Sequence, residues 1–384
     1  MTDRAPATAP LTVGVPREVK DGEHRVAVTP DGVHELEVHD VPVLVETGAG
    51  ADSRIDDREY RDAGAEIVPS AEDLWERSDL VLKVKEPQDE ELARLRPGLV
   101  LFTYLHLAAY PHVAEALLER KVTAVAYETV QLASGALPLL APMSEVAGRM
   151  APQIGARFLE RGQGGRGVLL GGAPGVRPAR VVVLGAGNVG WNAAWIAQGM
   201  EAEVLLFDKN LDRLRFVDQV HRGRIMTLAS TRGAVARAVT DADLVIGAVL
   251  VPGGRAPVVV TEAMVHAMRP GSVIVDCAVD QGGCVETTRE TTHADPVYEE
   301  HEVLHYAVGN IPGAVPVTST FALTNATLPY AAALATIGVA GATGADPGLA
   351  LGVNTVAGAV TNPAVAEALG RPATTLSEVL GAPE

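Results

Sequence analysis

Arg180-Val181-Val182-Val183-Leu184 runs straight into Gly185-Ala186-Gly187-Asn188-Val189-Gly190. Trp191 to Met200 follow at helical spacing, then Glu203 to Phe207 as a second apolar run closed by Asp208. A glycine triplet alone is a weak signal. Strand, triplet, helix, strand and terminal acid in that order predict a dinucleotide site. Gly185 permits the tight turn, Gly187 lets the backbone approach the pyrophosphate, and Gly190 lets helix and strand pack closely. Asn188 and Val189 open the helix, whose free N–H groups and positive dipole end suit phosphate. Asp208 is placed to accept hydrogen bonds from an adenosine ribose and to repel a 2′-phosphate, which favours NAD over NADP. Lys209 and Arg213 lie nearby and oppose that preference.

A bound dinucleotide needs acid–base groups near its nicotinamide, and several places offer them. Lys83-Val84-Lys85-Glu86-Pro87 ends an apolar strand, and alternation puts Lys83 and Lys85 on one face. Either one serves a cleft, or both are solvated lysines at a strand end. His106 follows Leu101-Phe102-Thr103-Tyr104-Leu105, at the carboxyl end of a strand, where open α/β sheets place their ligands. Histidine titrates near neutrality, which suits proton transfer to a carbonyl or imine. Asp280 sits in Val279-Asp280-Gln281-Gly282-Gly283, a turn whose glycines allow close ligand approach. Asn310-Ile311-Pro312-Gly313 is a further turn-like segment. His112 lies near His106, but no carboxylate or cysteine gives a metal-site spacing, so no metal is expected.

The elements that must position these residues alternate along the chain. Leu11–Val15, Val41–Glu46, Leu80–Val84, Leu99–Thr103 and Thr123–Ala126 read as buried strands. Asp31–His39, Ala71–Arg77 and Pro111–Arg120 between them carry helical spacing. Arg180–Leu184, Glu203–Phe207, Leu244–Val249 and Val273–Asp276 form a second set of strands. The halves echo each other: Asp79-Leu80-Val81-Leu82 leads to Arg96-Pro97-Gly98, and Asp243-Leu244-Val245-Ile246 leads to Arg269-Pro270-Gly271. The fold class expected is α/β: two Rossmann-like, doubly wound domains with parallel sheets and an active site in the cleft between them. A helix, Leu140–Ala156 with Ser144 as its cap, marks the boundary, and a glycine-rich loop, Gly162–Gly175, follows it.

Bulk properties agree with this class. The 384 residues suit about two domains, and 47% hydrophobic content supplies their cores. A net charge of −17 excludes an electrostatic grip on nucleic acid or anionic membrane. Two cysteines, Cys277 and Cys284, make no disulfide framework. Met1 to Pro10 is polar and unlike a signal peptide, and Leu328–Ala345, rich in small residues, reads as a packing helix. The expectation is a cytoplasmic protein with no membrane or nucleic-acid partner.

The ordered motifs resemble the family of L-alanine dehydrogenase and the alpha part of nicotinamide nucleotide transhydrogenase. The likeness runs from Val13-Gly14-Val15-Pro16-Arg17-Glu18 and Glu23-His24-Arg25-Val26-Ala27 through the Lys83–Pro87 and Tyr104–Ala108 segments. It continues with Tyr127-Glu128-Thr129-Val130, Ala141–Gly148, the glycine fingerprint, Asp280-Gln281-Gly282-Gly283 and Ala322–Thr327. The resemblance implies that Arg25 and Lys85 hold the carboxylate and carbonyl end of a substrate. His106 and Asp280 would handle protons, with Asn310 beside substrate and nicotinamide. Ser144, Asp208, Val249 and Leu250 would contact NAD. It also implies a discontinuous catalytic domain, 1–138 plus 317–384, around an NAD-binding domain, 139–316, and a homohexamer. The activity implied is reversible oxidative deamination of L-alanine to pyruvate and ammonium. The chain departs from the family pattern at Gly309, Ile311 and Val317, beside the expected pocket. The alternatives are a dehydrogenase for another small L-amino acid, a transhydrogenase-alpha-like NAD(H)-binding subunit, or an NAD-sensing scaffold without turnover.

Overall fold

Strand formation follows the short β-branched runs, which bury both faces of each strand under flanking helices. The computed structural model describes residues 9–249 and 256–381, and the chain divides into two compact units. The first comprises Met1–Pro142 with Val315–Glu384, the second Met143–Ala314.

Six strands open the first unit: β1 (Val13–Val15), β2 (Val43–Glu46), β3 (Glu66–Val68), β4 (Leu80–Leu82), β5 (Val100–Thr103) and β6 (Thr123–Ala126). Seven make the sheet of the second: β7 (Arg180–Leu184), β8 (Glu203–Asp208), β9 (Met226–Ala229), β10 (Leu244–Gly247), β11 (Val273–Asp276), β12 (Val297–Glu300) and β13 (Val303–Tyr306). The chain then returns to the first sheet with β14 (Val353–Val356) and β15 (Ala359–Val360). The sheet orders are β15-β14-β6-β5-β4-β1-β2-β3 and β12-β13-β11-β10-β7-β8-β9. Both contain the same six-strand parallel run with the first strand third from one end, the order of dinucleotide-binding folds. The halves are therefore two copies of one plan. In each, the order reverses at the first strand, which places a ligand crevice at the carboxyl ends of β1 and β4 and of β7 and β10.

The expected all-parallel sheets are mixed at their edges: β14 pairs antiparallel with β6 and β15, and β12 with β13. β12, β14 and β15, with β3, β9 and β13, are absent from the sequence reading because they are short and several are half-exposed or carry polar residues, so they lack the continuous apolar runs of the expected strands. Trp75, Leu74, Leu99, Leu101 and Leu117 centre the first core, and Val182, Phe207, Val245 and Ile274 the second.

Most expected elements shift by one or two residues at their ends, and three differences have clear local reasons. β4 stops at Leu82 rather than Val84, because the Val84 N–H donates to Glu18 Oε1 at 2.6 Å. The helix expected at Leu140–Ala156 runs Ala141–Phe158. The Ala141 N–H already reaches the Leu137 carbonyl, so Ser144 lies inside the first turn and is not its cap. The apolar C-terminal helix spans Pro316–Ala345 and is long and apolar enough to cross a bilayer. It is broken at Gly338 (φ 66°), and its Thr320 hydroxyl accepts from the Val26 N–H within the first unit. The glycine-rich stretch 162–175 is fastened to the second unit, with the Arg166 N–H on the Gly271 carbonyl and its guanidinium 2.9 Å from Asp243.

Candidate active site

In the first unit, candidate residues gather where β1, β4 and β5 end. Arg25 and Glu23 are buried, with side-chain exposures of 2% and 0%. Glu23 Oε1 accepts from the Arg25 backbone N–H (3.0 Å) and from Nε (2.6 Å), and Oε2 accepts from Nη2. Burial pushes the Glu23 carboxyl up, but Arg25 and Lys85 more than offset it and hold it at about 2. Lys85 is half-buried, and the Thr103 hydroxyl donates to its carbonyl at 2.9 Å. The structure separates the two lysines that alternation puts on one face. Lys83 is fully buried with its Nζ 3.1 Å from Glu18 Oε2 and 2.8 Å from Glu91 Oε1, an ion-pair network that is structural. Burial raises the Glu18 carboxyl to about 6, against the opposing pull of Lys83.

His106 has φ 47°, in the left-handed region that non-glycine residues occupy rarely and at a cost. Glu128 holds it there: its Oε1 accepts from the His106 N–H at 2.7 Å and from the Leu105 N–H at 3.2 Å. The same oxygen lies 4.0 Å from His106 Nδ1, and the imidazole is parallel to the Tyr104 ring with centroids 5.8 Å apart. The Tyr104 hydroxyl donates to the Leu139 carbonyl, and its own acidity is suppressed by burial. Glu23 and Glu128 carry no assigned role in the sequence reading, although both lie inside the quoted motifs. A signal was available for Glu23, which stands two residues from Arg25 in one motif; the motif of Glu128 carries no cation, and its partners come from the chain 22 residues away.

In the second unit, the turn after β7 meets the requirements of a dinucleotide. Gly185 has φ 103°, and a Cβ there would lie 2.5 Å from the Ala248 carbonyl oxygen. At Gly190 a Cβ would lie 1.7 Å from the Gly185 carbonyl oxygen, so only glycine allows the helix Asn188–Gly199 to start this close to the turn. At Gly187 a Cβ would meet nothing nearer than Arg213 Nη1 at 3.9 Å, which leaves that side open for a ligand. No side chain caps this helix, whose N-terminal groups therefore remain suited to phosphate. Asp208 ends β8 and accepts from the Ala186 N–H at 2.6 Å; exposed Arg213 lies 3.7 Å from the same carboxylate. Asn188 is exposed and Val189 half-buried at the helix start. Val249 follows β10 beside Gly185, and Leu250 lies outside the described residues.

The proton-handling candidate of this unit stands on a rigid base. Asp276, fully buried at the end of β11, accepts from the N–H groups of Ala278, Cys284 and Val285 and from the Thr288 hydroxyl. It thereby fixes the turn that carries exposed Asp280 in Val279–Gln281, with Gly282 and Gly283 at φ 88° and 75°. Asn310 is also left-handed (φ 60°), and its carbonyl accepts from the Gly313 N–H and lies 3.2 Å from His293 Nε2. Gly309 before it has no positive φ. A Cβ there would lie 2.3 Å from Glu290 Oε1 and 3.1 Å from Asp280 Oδ1, so the missing methyl makes room for the Glu290 carboxylate.

Comparison with known proteins agrees with both halves. Residues 14–147 match the alanine dehydrogenase/PNT N-terminal domain, and residues 151–363 the corresponding C-terminal domain. Alanine dehydrogenase of Mycolicibacterium smegmatis is 53% identical over 96% of this chain and 100% of its own length. That of Bacillus subtilis is 54% identical over 94% and 95%. Among solved structures, an L-alanine dehydrogenase superposes with a TM-score of 0.91 at 50% identity, covering 94% of this chain and 99% of its own. A transhydrogenase from Sinorhizobium meliloti follows at 0.79 and 26%, covering 92% and 99%. With both domain signatures present in order and full-length relatives above half identity, the chain belongs to the alanine dehydrogenase/PNT family.

Proposed function

We propose that this chain is an NAD-dependent oxidoreductase acting on L-alanine. The reaction converts L-alanine, NAD and water to pyruvate, ammonium, NADH and a proton, reversibly. The observation that carries this reading is the buried Arg25, clamped by Glu23 beside Lys85, in a chain that also holds the Gly185–Gly190 turn with Asp208. A buried guanidinium with a neighbouring ammonium is a receptor for a small carboxylate.

The first unit, with its C-terminal return, is the substrate domain, and the second is the NAD domain. Residues Gly185, Gly187, Asn188, Val189, Gly190, Asp208 and Arg213 would hold the dinucleotide, joined by Ser144, Val249 and Leu250. NAD supplies the hydride acceptor for the substrate Cα–H. Arg25 pairs with the substrate carboxylate and fixes the orientation of Cα. Lys85 polarises the carbonyl oxygen in the reductive direction and stabilises the charge that develops on it. Asp280, assisted by His106, takes and returns protons as water adds and ammonia leaves, a contribution of about 10²–10⁴-fold. Asn310, held left-handed, lies beside substrate and nicotinamide. The enzyme works as a cytoplasmic homohexamer, which light scattering of the purified chain would test.

The experiment is a panel of L-alanine, D-alanine, glycine, L-serine, L-2-aminobutyrate and L-lysine, each with NAD and with NADP, read by the absorbance of reduced nicotinamide. Turnover confined to L-alanine and close homologues with NAD is the expected result. Tight NADH binding with no amino acid turned over would overturn the reading in favour of a transhydrogenase-like subunit.

A further inference from the structure

Arg25 and Lys85 present a problem that Glu23 solves. Two cations meant to meet one small carboxylate must stay close together, and Arg25 is almost wholly withdrawn from water. A buried guanidinium without a fixed partner either costs several kcal/mol or turns toward one. Glu23 lies two residues before Arg25 and takes its Nε, its Nη2 and its backbone N–H with one carboxylate. That arrangement fixes both the peptide and the plane of the guanidinium. Lys85 acts on the same carboxylate electrostatically. Glu23 remains ionised at any working pH, since its neighbours hold it at about 2.

We propose that Glu23 is a positioning residue for substrate recognition: it orients the Arg25 guanidinium and offsets part of the Arg25–Lys85 charge, so that a substrate carboxylate meets a preset receptor. This rests on the proposed alanine dehydrogenase reading and adds to it the residue that sets discrimination for the carboxylate. The ordering of a long, rotamer-rich side chain is completed on folding rather than on binding. The benefit therefore falls on substrates that carry the carboxylate and not on those that lack it.

The test compares reductive amination of pyruvate with that of methyl pyruvate, the neutral ester, in the wild-type enzyme and in Glu23→Gln. Glutamine keeps the shape, but its amide nitrogen opposes an Arg25 donor and its charge is lost. The variant should lose about 10–100-fold in kcat/KM for pyruvate, the worth of a charged hydrogen bond. Its kcat/KM for methyl pyruvate should change by less than about threefold, and KM for NADH should stay unchanged. An equal fall for both substrates would make Glu23 a general fold element and overturn the proposal. Should Glu23→Gln not fold, Glu23→Asp keeps the charge and withdraws the carboxylate by one methylene. A pyruvate-to-ester ratio reduced at least about fivefold in that variant supports the proposal, and an unchanged ratio overturns it. A wild-type enzyme inactive on pyruvate would instead refute the underlying functional reading.

Discussion

Two glycines of one turn should respond differently to the same added methyl. In Gly190→Ala the Cβ would lie 1.7 Å from the Gly185 carbonyl oxygen, about 1.3 Å inside the 3.0 Å limit that real Cβ atoms keep. The obstruction is backbone, and Ala248 Cβ stands 3.2 Å away on another side, so no side-chain rotation relieves it. The first turn of the helix Asn188–Gly199 must move away from β7 by about that distance. Overpacking of this kind costs about 1–3 kcal/mol. A misplacement of about 1 Å in a positioned group can cost about 10²-fold in function. Gly190→Ala should therefore melt several degrees lower and bind NADH about 10–100-fold more weakly. In Gly187→Ala the Cβ enters open space, and the φ there is not left-handed, so the fold should keep its melting temperature. Only the approach of the pyrophosphate is obstructed, and NADH affinity alone should fall. Differential scanning fluorimetry and NADH fluorescence titration on both variants separate the two effects. Equal destabilisation by both, or unchanged NADH affinity in Gly187→Ala, would refute the assignment of this turn.

Asp208→Ala should lower the NAD-to-NADP ratio of kcat/KM at least about tenfold, as a charged acceptor is lost and Arg213, now 3.7 Å from that carboxylate, can pair with a 2′-phosphate. An unchanged ratio would mean the carboxylate serves only the Ala186 and Asn210 N–H groups. Glu18 has a folded-state value of about 6, raised above that of the unfolded chain, so its contribution to stability is fully present below the unfolded value and is lost as pH rises through about 6. Glu18→Gln should therefore gain about 2 kcal/mol relative to wild type between pH 4 and 7, read by urea unfolding at each pH. A flat difference would place the titration elsewhere. Gly309→Ala meets the ends of two exposed side chains, Glu290 Oε1 at 2.3 Å and Asp280 Oδ1 at 3.1 Å, so unfolding free energy should change by less than about 1 kcal/mol while turnover changes as these carboxylates shift. A large loss of stability would show that Glu290 cannot move.

How far the sequence could be read depended on how far apart the interacting residues lie in it. The strand-turn-helix-strand fingerprint is local, and Gly185, Gly190 and Asp208 stand where that pattern puts them. The doubly wound plan also follows from local runs, because strands buried on both faces need no alternation to be seen. Lys83 and Lys85 show where such reading stops. They are the same residue type, two apart at a strand end, and their neighbours in sequence do not distinguish them. Glu18, from the end of β1, and Glu91, from the helix after β4, claim Lys83 and leave Lys85 near Glu23. Ser144 was misplaced by the same limitation, since the helix start was set upstream by a turn onto Leu137. The acids left without a role share one physical character. Glu18, Glu23 and Glu128 are counter-charges or backbone acceptors for Lys83, Arg25 and the His106 peptide, and Asp276 does the same for the turn bearing Asp280. A buried or half-buried cation or strained peptide needs a fixed acceptor. In a chain that carries so many acids, an acid inside a motif of basic residues is therefore better read as the partner of its cation than as surface charge.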